Sequence, residues 1–124
     1  MATLIDQEFF SRLNALNEKF AASVPDTLAR LGAARARFDP DAPVPELITE
    51  LHQILHTVAG SAATFGFRVL GQQARQLEQR LRVLMAFERI PARDWRNWLA
   101  SLDAYLAWGA VNPKADYYSD DERD

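Results

Sequence analysis

The chain holds only two histidines, His52 and His56, four residues apart. On a helix that spacing puts both on one face. Such a pair is suited to two chemistries, metal binding and nucleophilic attack through a ring nitrogen. The run His52-Gln53-Ile54-Leu55-His56 has the histidine spacing of the metalloprotease zinc helix, in which a glutamate after the first histidine is the general base. Gln53 stands in that place and cannot take a proton, and no third ligand of the right type is evident. The expectation is therefore no metal site, with His52 as a solvated or docking residue.

The surroundings of His56 favour the nucleophile. Side chains at i+3 and i+4 of a helix lean back over position i, and here they are Ala59 and Gly60. A glycine inside a helix is unfavourable by about 1 kcal/mol relative to alanine, so Gly60 reads as room for something to approach the imidazole. His52, Ala59, Gly60 and Ala63 are the expected docking surface. A histidine that attacks phosphorus needs one free ring nitrogen and a partner holding the opposite N–H. Glu78, one step past the inward-facing Leu77, can reach His56 from the edge of a helix interface. It can equally pair along its own helix with Arg75 or Arg82 at i−3 and i+4.

Four helical segments must position these groups. Leu13, Leu16, Phe20, Val24, Leu28 and Leu31 keep one helical phase across Pro25, which predicts a kink or a closely coupled second helix there, with Ser23 capping the restart. Residues 39–45 contain three prolines and two aspartates and read as a loop, with Pro45 suited to the first turn of helix two. That helix starts near Glu46, turns Leu47, Leu51, Leu55, Val58, Ala62 and Phe65 inward, and ends at Gly66. The third runs from about Arg68 to Phe87 with Leu70, Ala74, Leu77, Leu81 and Leu84 in four-three spacing, the seam of near-parallel packing. Pro91 opens a fourth helix with Trp95, Trp98 or Leu99, Leu102 and Leu106 inward and a stop near Gly109. Phe9, Phe20, Trp95 and Trp98 are assigned to packing. Short connections between long amphipathic helices predict an all-α fold, an up-and-down antiparallel four-helix bundle with an N-terminal helical extension.

Composition narrows the function. A chain of 124 residues that is 48% hydrophobic forms one domain, residues 1–113, with one core. The absence of cysteine removes disulfides, thiolate nucleophiles and sulfur-based zinc sites. Residues 114–124 hold five acids against Lys114 and Arg123 and account for the whole net charge of −3. The body is neutral and the tail reads as acidic and flexible. Without a basic face, nucleic acid is not an expected partner. No apolar run approaches the length of a membrane span or a signal peptide, so a cytoplasmic protein is expected. A bundle with no long apolar outer stripe is expected to be a monomer.

The run His56-Thr57-Val58-Ala59-Gly60-Ser61-Ala62, followed by Thr64-Phe65-Gly66-Phe67, Val69-Leu70 and Leu77-Glu78, resembles the histidine-containing phosphotransfer (HPt) domain of bacterial two-component phosphorelays. It is especially similar to the phosphoryl-accepting domain of chemotaxis histidine kinases. The resemblance covers residues 47–82 and implies a four-helix bundle acting as a phosphoryl carrier, not an enzyme, with no cofactor of its own. Its partners would be a response-regulator receiver domain, a hybrid histidine kinase, or both, with Mg²⁺ and most catalytic groups supplied by the partner. It implies His56 as phosphoryl acceptor, Gly60 as the access point, Glu78 as the group orienting the imidazole, and Arg82 or Arg75 beside the phosphoryl group. The family usually has lysine three residues after the histidine, where this chain has Ala59. An HPt-like module that binds a receiver or kinase without being phosphorylated is the alternative.

Overall fold

The computed structural model describes residues 4–118. Its helices are α1 (Leu4–Ala36), α2 (Pro45–Ser61), α3 (Arg68–Met85) and α4 (Ala92–Val111), with a 3₁₀ turn (Ala62–Phe65) between α2 and α3. Each packs on its neighbours in sequence and α4 closes against α1, and no diagonal pair of helices brings its backbones as close among the described residues. The directions alternate. Arg35 of α1 pairs with Asp103 of α4 while Gly109, further along α4, faces Leu28, earlier in α1. Ala59 and His56 of α2 meet Arg75 and then Glu78 of α3 in the same opposed sense.

Helix boundaries follow from local chemistry. Pro45 occupies the first turn of α2, where a missing N–H is harmless. Gly66, at φ +88°, closes the turn after α2, a conformation that side-chain-bearing residues rarely adopt. Across Pro25 the helix neither restarts nor takes a cap. The Ser23 hydroxyl donates to the Phe20 carbonyl at 2.6 Å and α1 continues unbroken for 33 residues. Ala21, Ala22 and Pro25 are exposed, so the carbonyl freed by proline's missing N–H lies on a solvated turn.

That length explains the overhang. At about 1.5 Å per residue, the 33-residue α1 far outruns the 17- and 20-residue helices α2 and α4 that it packs against. Only its second half enters the core, through Val24, Leu31 and Ala34, with Phe20 and Leu28 at the edge. Phe9, assigned to packing from its spacing, is exposed, as are Phe10 and Leu16. The bundle partners end before they reach these positions. Together they make an outer apolar stripe, which removes the ground on which a monomer was expected.

Aromatic residues close both ends. Phe20 stacks on Phe65 and meets Phe67 edge-on, and Phe38 packs on Trp95. Both Trp98 and Leu99 are buried, whereas Leu106 is only half-buried. Buried hydrogen bonds pin α4 to α3, from the Trp98 indole to the Leu77 carbonyl and from the Tyr105 hydroxyl to the Leu70 carbonyl, each at 3.0 Å. The start of the acidic segment is packed as well. Lys114 lies over the Phe67 ring, Arg68 donates to the Asp116 carbonyl, Trp108 donates to the Tyr117 carbonyl and packs against Tyr118. Residues 119–124, with most of the tail's acids, lie outside the described residues.

Tyr105→Phe removes one buried hydrogen bond without opening a cavity. The expected loss is about 1 kcal/mol, read as a lower midpoint at unchanged m-value in urea unfolding.

Candidate functional site

The site lies between α2 and α3, and small residues line their seam. A Cβ added to Gly71 of α3 would stand 3.2 Å from the Ala62 Cβ and 3.5 Å from the Ala63 nitrogen. Ala59, Ala62 and Ala74 line the same seam and are buried. Gly71 was not singled out by the sequence; its spacing of three and seven residues from Ala74 and Glu78 is the signal that points to it. The seam carries Glu78 into the bundle, where its side chain is 1% exposed.

Glu78 is the one buried charged residue among those described, and a single oxygen does most of its bonding. Oε2 accepts from His56 Nδ1 at 3.0 Å and from the Arg82 guanidinium. His52 Nε2 lies 3.2 Å from the same oxygen but is out of line for a hydrogen bond, and is buried without a partner. Burial is the largest single influence on the Glu78 carboxyl and pushes its pKa up. The hydrogen bonds from His56 and Arg82, with the charges of both, outweigh it and hold the carboxyl below its ordinary value. Glu78 is thus a carboxylate at neutral pH. A carboxylate only accepts, so Nδ1 of His56 carries the hydrogen, and in the neutral ring the lone pair is on Nε2.

His56 itself stands in the open, with 65% of its side chain exposed. The His52 ring lies nearly parallel to it, with centroids 6.1 Å apart. A Cβ on Gly60 would meet nothing within 4 Å, so the fold does not require glycine there. Ala63 is exposed beside it, but Ala59 is not the docking residue expected from its i+3 position, because α3 covers it. Its carbonyl is the group in use, accepting from Arg75 at 3.0 Å. Arg75 therefore bridges to α2 and does not pair with Glu78, whereas Arg82 does. No trio of His, Cys, Asp or Glu suited to a metal occurs among the described residues, and no helix there is long and apolar enough to cross a membrane.

The arrangement supports a ring nitrogen that reacts with something brought to the surface. A cleft between α1 and α2, over Ile54 and Val58, does not include His56 or Glu78. The exposed ring of His56 can be reached by a group on the surface of another protein.

A carboxyl with a depressed pKa contributes stability that is complete above its unfolded-state pKa and is lost as pH falls through the folded value. Glu78→Gln should therefore be less stable than wild type at neutral pH. That gap should narrow as pH falls below about 4.5, in urea unfolding across an acid series. Parallel stability curves would show that Glu78 is not held ionised.

The Hpt domain family model matches residues 15–107, well over half of the chain, from the overhang of α1 into α4. The match takes in His52, His56, Arg75, Glu78 and Arg82. No curated protein and no solved structure matches the chain. The extent of the family match, on a four-helix bundle that presents one exposed histidine, shows that the chain belongs to the Hpt domain family, phosphotransfer-type modules of two-component signalling.

Proposed function

We propose that the protein carries a phosphoryl group on His56, exchanging it with the aspartate of a receiver domain or accepting it from a hybrid histidine kinase. The observation that carries this reading is the Nδ1–H bond to a buried carboxylate on a ring that is otherwise exposed. In the forward step the Nε2 lone pair attacks phosphorus, an N–P bond forms, and the bond from phosphorus to the aspartyl oxygen breaks, leaving the receiver's carboxylate. The receiver contributes Mg²⁺. No proton has to leave the ring, because Nδ1 keeps its hydrogen. Glu78 balances the positive charge that the ring acquires. The return step is the same path reversed, which suits a carrier and needs no catalytic machinery in this chain.

Arg82 and Arg75 are the cations near the phosphoryl group in this reading. Each guanidinium has five N–H donors and uses one in a bond described above, so the others remain for phosphoryl oxygens. Positive charge supplied from α3 stands in for the lysine that Ala59 is not. His52, Gly60 and Ala63 form the surface on which the receiver rests. The cytoplasm, where receivers and kinase domains meet, is the proposed place of action.

Wild type mixed with a phosphorylated receiver and Mg²⁺ should acquire an acid-labile, alkali-stable phosphoryl group, and His56→Gln should acquire none. Wild type left unlabelled by every receiver and kinase of its own organism would contradict the carrier role; full signalling by His56→Gln would establish the binding-only alternative.

Gly60→Ala separates access from folding. The variant should be as stable as wild type or up to about 1 kcal/mol more stable, while transfer slows by about tenfold, equivalent to about 1.4 kcal/mol in the barrier. Unchanged transfer would show that the receiver does not approach over Gly60.

A further inference from the structure

Three nitrogen-bearing groups converge on Oε2 of Glu78, and the oxygen has room for two. A carboxylate oxygen offers two lone-pair directions. His56 Nδ1 takes one and Arg82 takes the other. His52 Nε2 waits 3.2 Å away, its nitrogen buried and without a hydrogen bond. A buried polar atom left in that state is unfavourable, and His52 is not confined to it by bulk, since its side chain is 23% exposed.

From this geometry we propose that His52 is a positioning residue that takes over the bond to Glu78 when Arg82 leaves it. The proposal rests on the phosphoryl-carrier reading of His56. Arg82 is the mobile member of the set, on a long side chain that is 61% exposed. A phosphoryl group on Nε2 of His56 offers that guanidinium doubly charged oxygens, a stronger attraction than a carboxylate already shared with an imidazole. Departure of Arg82 would otherwise leave Glu78 buried with one donor. A small rotation of His52 brings Nε2–H into line and refills the vacant lone pair, so Glu78 keeps two donors in either state. The charged group placed against His52 is Glu78 of α3, and the ring of His56 stacks on it from its own helix. Arg82 can thus move between the buried carboxylate and the phosphoryl group without loosening the bond that orients His56.

Nitrogen-15 spectra of the imidazoles test the exchange with and without phosphorylation. In unphosphorylated Arg82→Ala the His52 Nε2–H signal should move downfield and gain about tenfold protection from solvent exchange, the value of one hydrogen bond of about 1.4 kcal/mol. Wild type should show neither change until His56 is phosphorylated, when both should appear. An identical His52 signal in wild type and Arg82→Ala overturns the proposal. So does an unmoved signal in a protein whose spectrum shows His56 phosphorylated. Failure of His56 to take phosphate, with the Arg82→Ala change present, counts against the carrier reading alone. Rates supply the second arm. His52→Leu should slow transfer about fivefold when Arg82 is present and at least as much in Arg82→Ala, where His52 is the only other donor to Glu78 beside His56; unchanged transfer in Arg82→Ala overturns the exchange.

Discussion

One buried carboxylate oxygen organises this protein. Glu78 is enclosed between α2 and α3, and a charge in that position is strongly unfavourable unless hydrogen-bonded donors surround it. His56 and Arg82 supply them. The same bond that satisfies Glu78 decides which nitrogen of His56 carries hydrogen, so the stability of the interface and, in the proposed transfer, the reactivity of the ring have a common origin. Closeness is the other requirement. Gly71, Ala62 and Ala59 let the helix backbones approach, and larger residues in that seam would move the carboxylate away from the imidazole.

The remaining helices keep that seam in place. Trp98 and Tyr105 of α4 hold the α3 backbone at Leu77 and Leu70, on either side of Ala74 and one residue from Glu78. Phe20, Phe65 and Phe67 close the end of the bundle where α2 turns over into α3, and Gly66 makes that turn possible. The packed rings and pinned backbone leave His56 exposed on a packed support, in keeping with Hpt modules being phosphocarriers.

Much of this was legible in the sequence because helix periodicity reports burial directly. Leu47, Leu51, Leu55, Leu70, Leu77 and Leu81 are all in the core where their spacing puts them. Motif spacing identified the family through His56, Gly60 and the Leu77-Glu78 pair. The failures share a physical cause: periodicity gives the phase of a helix but not how far its neighbour extends or how closely it approaches. Phe9 and Leu16 have the phase of a core stripe, yet α1 has outrun its partners there. Ala59 shares a face with His56, yet α3 lies over it. Glu78 is open to either reading from the sequence because its burial depends on how closely α2 lies over it, which the period of α3 does not report. Pro25 signalled a break, but its exposed side of α1 tolerates one missing hydrogen bond.

In the proposed transfer Glu78 fixes the ring of His56 so that Nε2 is the reacting atom. Phosphorus–nitrogen correlation spectra of the protein labelled with nitrogen-15 in its histidines, after phosphorylation by a receiver, identify the bonded nitrogen. Phosphorus on Nε2 of His56, with Nδ1 still bearing hydrogen, is the predicted result. Phosphorus on Nδ1, or on His52, would contradict it.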